Sequence, residues 1–270
     1  MLLDAHTPDL TLAPLKPLEA DGKSETLGRL RIKLNQIMTF AVNSGIVEYN
    51  PLVKISDAFK PIIVTSQPAL RPEQLPGLMR AIDTANIKSN TRHLMLWGLH
   101  TLVRPKEAAG TCWAEINFKD RLWLIPAERM KGGKREHMVP LTEQAIDILE
   151  KMHVLNGHRV HVFVNERDYS KPASSQSVNR ALVRMGFQGK QTAHGFRSIG
   201  STALNEQEFA PDVIEAALAH VDKNEVRRAY NRSTYIEQRR PVMQWWSDYI
   251  QAATYGRSTN KSFKGLSVIG

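Results

Sequence analysis

A mainly helical fold with one small antiparallel β-sheet is what this sequence predicts, on three observations. Apolar residues recur every three to four positions over most of the chain, the spacing that lines them up on one helix face. One stretch alone, "RLWLIP" and then "HMVPL" across Gly132-Gly133, reads as two strands joined by a turn. Composition is that of a globular chain, with 270 residues, 42% hydrophobic and 23% charged, enough to bury a sizeable core.

Residues 24–44 predict an amphipathic helix, with Leu27, Leu30, Leu34, Ile37, Met38 and Ala41 facing inward and Gly45 as the stop. Asn50-Pro51 closes that region, and the Pro-containing run to about residue 70 reads as irregular linker. A helix starting near Arg71 carries Leu75, Leu78, Met79 and Ile82 on one side. Residues 91–100 are apolar nearly all round, which predicts a helix central to the core. Pro105 suits the first position of a further helix. Beyond the hairpin the rest is expected to be mainly helical: one helix bears Phe196, Ile199, Ala203 and Leu204, and another starts at Pro211 and buries Val213, Ile214, Ala217 and Leu218. Asp222 and Glu225 have capping-box spacing for another start. Pro241 predicts a kink or break near Arg240, because a mid-helix proline costs about 3 kcal/mol. The final Gly/Ser-containing stretch reads as a mobile tail.

Charge points to the partner. Thirty-six Lys+Arg against 27 Asp+Glu give +9, a balance suited to phosphate backbones. The basic residues cluster in "ERMKGGKREH" and in "KNEVRRAYNRSTYIEQRR". No apolar run approaches a membrane span, and the first fifteen residues lack the basic start of a secretory signal. The single cysteine, Cys112, excludes an internal disulfide framework and fits a reducing, cytoplasmic setting. No Cys/His spacing suggests a zinc site, and no acidic cluster suggests another metal.

The chemistry gathers in short motifs. In "TAHGFRSIG", His194 and Arg197 stand three apart, so both project from one side of a helix. Two cation-capable groups so placed make sense with an anion between them. Arg104 precedes the helix starting at Pro105, where free N–H groups favour an anion, and Glu107 is spaced to hold its guanidinium. Taken alone, that pair is a common surface contact. Lys131 and Lys134 flank the Gly-Gly turn. His220 ends "AALAH", and Tyr230 lies among arginines. Together these residue types suit phosphoryl transfer. Forked guanidinium groups grip non-bridging oxygens, a tyrosine amid cations is a poised nucleophile, and lysine and histidine move protons. Arginines would supply the charge that a metal supplies elsewhere, so no cofactor is expected.

The ordered run "TLVRPKEAAGTCW", "RMKGGKREHMVPL", "HGFRSIGSTALNE", "ALAHVDKNEVRRAYNR" resembles the tyrosine recombinase family, and most of all the integrases of temperate phages and genomic islands. The likeness covers roughly residues 24–249. It implies that Arg104 and Arg197 clamp the scissile phosphate and that Lys131 is the general acid, with Lys134 as rival. It makes His194 the proton-handling partner of Arg197 and His220 a phosphate hydrogen-bond donor. Tyr230 becomes the nucleophile of a 3′-phosphotyrosyl link; Tyr235 falls too far from His220 for the family's spacing. Glu107 would orient Arg104, and Lys134, Arg135, Arg227 and Arg232 would contact DNA. Trp245 and Trp246 are expected to pack rather than stack on bases.

For organisation, the resemblance implies a partial helical core-binding domain at 1–56, a linker at 57–70, a catalytic domain at 71–250 and a flexible tail at 251–270. The resemblance also implies that the family's N-terminal arm-binding domain and core-binding domain are expected to be incomplete in this chain, so a DNA-binding remnant without activity is the rival to an integrase. A type IB topoisomerase is a more distant alternative. Expected partners are double-stranded attachment sites, three further copies of the chain on DNA, and an excisionase or a host DNA-bending protein. Residence on the nucleoid would follow.

Overall fold

The computed structural model of the chain describes residues 11–61, 67–133, 135–220 and 235–255. The chain divides into two compact units, Met1–Ser66 and Gln67–Gly270.

The first unit holds α1 (Lys16–Ala20), α2 (Ser24–Asn43) and a 3-10 turn, Ile55–Ala58. Its core is Leu15, Leu27, Met38, Leu52, Ile55 and Phe59. Gly45 takes φ +67° just past α2, the left-handed stop that glycine adopts without penalty. The inward face of α2 differs from the expected one. Leu30 and Ile37 are 39% and 61% exposed, while Arg31 is buried with its guanidinium over the Phe59 ring. At 100° per residue, Leu27, Arg31, Leu34, Met38 and Ala41 form one stripe, and Leu30 and Ile37 sit roughly 60–80° off it.

The second unit begins with the 3-10 turn Pro72–Gln74, then α3 (Leu75–Thr84), α4 (Ser89–Thr101) and α5 (Pro105–Ala109). A second 3-10 turn, Trp113–Glu115, leads into β1 (Ile116–Asn117) and β2 (Leu122–Ile125); a third, Ala127–Arg129, precedes β3 (His137–Pro140). Then come α6 (Glu143–Asn156), β4 (Val164–Asn165), β5 (Asp168–Pro172), α7 (Ser177–Arg184), α8 (Gly195–Glu206), α9 (Pro211–Ala217) and α10 (Ile236–Thr254). The expected hairpin is β2–β3, antiparallel with Trp123 opposite Val139 and Ile125 opposite His137. β1 extends it to three strands, and β4–β5 form a separate hairpin. Both additions escaped the sequence reading because β1 and β4 are two residues long, too short to show an alternation.

α4 lies at the centre, as its all-round apolarity predicts. Leu94, Met95, Trp97 and Leu99 are all buried. The Trp97 ring meets Trp123 at 5.1 Å and Phe163 at 6.2 Å between centroids. Each buried indole N–H has an acceptor, as burial demands: Trp97 on Thr111 Oγ1, Trp123 on Glu115 Oε2, and Trp246 on the Leu99 carbonyl at 2.7 Å.

α10 departs from the expected break at Pro241 and from the expected start of the tail. It is one helix across Pro241, which sits in its second turn on the exposed side, so the only intrahelical bond forfeited is the one to the Glu237 carbonyl. It also runs on to Thr254 with Ala253 buried, into the stretch expected as tail. Trp246 packs at 0% exposure, and Trp245 meets Phe209 edge-on and stacks on Tyr249. Both are packing residues. The helix start expected at Asp222 lies outside the described residues.

Candidate active site

Three segments distant in sequence bring cationic groups to one place. The first joins α4 to α5. α4 ends on Leu102 in the left-handed region, φ 54°, and Arg104 is extended at φ −69°, ψ 148° before Pro105 starts α5. Glu107 folds back over this junction. Its carboxylate accepts from the Arg104 backbone N–H at 2.9 Å and from Arg104 Nη1 at 3.2 Å. Glu107 is 2% exposed and the Arg104 side chain 22%, so this is a capping contact and an enclosed ion pair at once.

The second segment is the start of α8. Gln191, buried, accepts from the Leu70 N–H through Oε1 and donates to the Thr192 carbonyl through Nε2, both at 2.7 Å. Thr192 Oγ1 accepts the Gly195 N–H at 3.0 Å. Gly195 has no substitute here: a Cβ would lie 2.5 Å from the Pro68 carbonyl oxygen. This strapped turn leaves His194 exposed and sends Arg197 inward, to 5% exposure.

The third segment is the end of α9, where Ala219 has φ 49°. Arg197 Nη1 donates to the Leu102 carbonyl at 2.5 Å; its Nη2 donates to the Leu218 carbonyl at 2.7 Å and to His220 Nε2 at 2.9 Å. Arg104 Nη2 donates to the Ala219 carbonyl at 3.2 Å. Both guanidinium groups are therefore held by carbonyls left over at helix C-termini, where the backbone favours cations. Left-handed backbone at Leu102 and Ala219 costs about 1 kcal/mol each, a strain located where the arginines are held.

The contacts of His220 fix its tautomer. A carboxylate only accepts and a guanidinium only donates. His220 Nδ1 therefore carries the proton given to Glu215 Oε2 at 2.8 Å, and Nε2 is the acceptor facing Arg197. The donor role expected of His220 is not the arrangement present, because that nitrogen is occupied by Arg197. Partial desolvation of the His194 ring, then the charges of Arg197, Arg104, His220 and Lys131, lower its pKa and favour the neutral imidazole. Burial, with the Arg104 charge next, lowers the Arg197 pKa to about 10, which leaves it charged at neutral pH.

Lys131 stands exposed at the head of the turn containing Gly132 and Gly133, with φ +93° and +64°. Arg135 is exposed ahead of β3. Tyr230, Lys134, Arg227 and Arg232 lie outside the described residues. Tyr235, the alternative nucleophile, caps α10 with its ring half-buried against the core. Among the described residues no group of acidic, His and Cys side chains could hold a metal ion, and no helix is long and apolar enough to cross a membrane.

Sequence reasoning missed Glu215, Gln191 and the three carbonyls. Backbone acceptors leave no letter in a sequence. Gln191 partners a segment far earlier in the chain, and the spacing of Glu215 to His220 spans a helix end, where periodicity stops.

The assembled groups form a fixed positive cluster beside a neutral imidazole, suited to gripping a phosphodiester and moving a proton at it. A family model described as "Phage integrase family" matches residues 68–237. "Prophage integrase IntA" of Escherichia coli (strain K12) is 47% identical over 268 residues, covering 99% of this chain and 64% of IntA. The chain thus spans just under two-thirds of that relative's length. Among solved structures, a lambda integrase (75-356) dimer bound to a COC' core site superposes with TM-score 0.63 at 18% identity, over 87% of this chain and 82% of that one. A lambda integrase tetramer bound to a Holliday junction does so at TM-score 0.63 and 18% identity, over 83% and 66%. At such identity the likeness is one of fold: a mainly helical catalytic domain with small antiparallel sheets.

Proposed function

The chain belongs to the phage integrase family, the tyrosine recombinases, and from that premise we propose that it cuts and rejoins duplex DNA at specific attachment sites to integrate or excise a prophage or genomic island. The proposed catalytic domain is 71–250, with 1–56 contributing to the grip on DNA. The observation that carries the reading is the gathering of Arg104, Arg197 and His220, with each arginine held by helix-end carbonyls and their charges acting on His194.

In this reading Arg104 and Arg197 grip the two non-bridging oxygens of the scissile phosphate. His194, neutral, accepts the Tyr230 proton as the phenolic oxygen attacks phosphorus. The P–O5′ bond breaks and Lys131 protonates the departing 5′ oxygen, leaving a 3′-phosphotyrosyl link. Attack by another strand's 5′-hydroxyl reverses each transfer. One phosphodiester is exchanged for another ester, so neither ATP nor water is consumed. Fixed guanidinium groups need no reorganisation as charge develops, so loss of either should cost about 3 kcal/mol of transition-state stabilisation. His220, its Nδ1–H given to Glu215, braces Arg197 through Nε2. The tetramer on a Holliday junction described for lambda integrase supports four copies acting together here, with an excisionase or a host DNA-bending protein setting direction.

The test is a nicked duplex that traps the covalent adduct, run in EDTA. Wild type should accumulate adduct and Tyr230→Phe none. No adduct from wild type on a full attachment site would instead fit a DNA-binding remnant, and relaxation of plasmid without sequence preference a topoisomerase.

A further inference from the structure

The Gly-Gly turn poses a problem for any acid delivered from it. Gly132 and Gly133 take left-handed φ values that glycine reaches freely, so the turn alone does not hold an ammonium at one height. Its base is held tightly. Arg129, two residues before Lys131, ends a 3-10 turn and is anchored through both Nη atoms. Nη1 pairs with both Glu115 carboxylate oxygens, at 2.5 Å to Oε1, and Nη2 donates to the Glu107 carbonyl at 2.7 Å. The two side chains are 22% and 11% exposed. Glu115 is fixed in turn by the Trp123 indole at 2.9 Å and the Cys112 N–H at 3.2 Å. Space for the guanidinium exists because residue 110 is glycine: a Cβ there would lie 2.7 Å from Arg129 Nη2.

Glu107 thereby serves two neighbours. Its carboxylate holds Arg104, and its backbone carbonyl holds Arg129. We propose that Arg129 is a positioning residue that fixes the foot of the Lys131 turn to the helix that Arg104 caps, so that the proton donor and the phosphate clamp keep one spacing. This rests on the general-acid reading of Lys131. A merely structural ion pair would predict something different, namely that its loss slows cleavage equally whatever group departs.

Changing the leaving group separates the two. A nicked duplex of the attachment site, located beforehand by covalent capture with wild type, is made with oxygen or sulfur at the 5′ bridging position. A thiolate leaves without being protonated, its acid being far stronger than an alcohol, with a thiol pKa of about 8.5. Single-turnover cleavage is measured with the full chain. Arg129→Lys keeps a cation beside Glu115 but not the fork; it should cut the oxygen substrate at least about tenfold more slowly and the sulfur substrate near the wild-type rate. Arg129→Met combined with Glu115→Gln leaves no unpaired buried charge and should behave alike. Arg197→Ala should be slow on both substrates. Equal slowing of Arg129→Lys on both, or no slowing on either, overturns the proposal. Lys131→Ala separates the claims: if sulfur rescues it but not Arg129→Lys, only the positioning role falls. If sulfur rescues Lys134→Ala and not Lys131→Ala, the acid is Lys134 and both statements about Lys131 fall.

Discussion

At the scale of single residues, the site depends on how a buried guanidinium is made tolerable. Taking Arg197 to 5% exposure removes hydration worth several kcal/mol, and two carbonyls and an imidazole nitrogen replace it. Lysine keeps the charge but not the fork. Arg197→Lys should therefore lower cleavage by about 10²-fold or more while DNA retention in a filter assay changes little; equal losses in both would count against the clamp. Glu215→Gln probes the tautomer of His220. An amide oxygen still accepts from Nδ1 but without charge, so cleavage should fall less than for His220→Ala, measured on the same nicked duplex. The residue letters of the cluster were legible: His194 and Arg197 by spacing, Arg104 and Glu107 by their helix start. What held them was not, because Leu102, Leu218 and Ala219 act through backbone oxygens and would do so with other side chains.

At the scale of elements, the candidate site sits at helix ends. α4 and α9 supply the C-terminal carbonyls, and the turn before α8 places His194 at that helix's N-cap. Gly195→Ala places a methyl 2.5 Å from the Pro68 carbonyl oxygen and 2.8 Å from Gln191 Nε2, and a backbone oxygen cannot step aside cheaply. It should destabilise the fold by about 1–3 kcal/mol in urea and reduce cleavage further than that loss of folded protein explains. Pro241→Ala acts in the opposite sense. It restores an N–H facing the Glu237 carbonyl in an exposed turn, and should stabilise by about 2 kcal/mol, read as a raised denaturation midpoint. Helices with a clear face, such as α3, were legible from period alone. β1 and β4 were not, since their pairing comes from neighbours rather than from their own two residues. Arg31 took an inward position on α2 because its stem and charge rest on Phe59, a contact that a periodicity of apolar letters cannot register.

At the scale of the whole molecule, two buried histidines tie stability to pH. Burial lowers the His100 pKa to about 4. Burial, helped by Arg239, Arg197 and Arg104, lowers that of His137 to about 3. Between these values and about 6.5, the unfolded chain binds more protons than the native one, so stability rises with pH across that window and is lost as pH falls through it. Each contributes on the order of 3 kcal/mol, and denaturation midpoints at pH 7 and 4.5 should differ accordingly; His100→Asn should shrink the difference. His100 also bonds Ser247 on α10, at 2.9 Å, so acidification should loosen the helix that follows the Tyr230 segment. The net charge of +9 suits the proposed DNA partner, but charge alone does not say which oxygen attacks. The most direct measurement is therefore peptide mapping of the trapped adduct by mass spectrometry. A 3′-phosphoryl nucleotide on the peptide containing Tyr230, absent in Tyr230→Phe, is the expected result. An adduct on Tyr235, or a 5′-linked nucleotide, would contradict it.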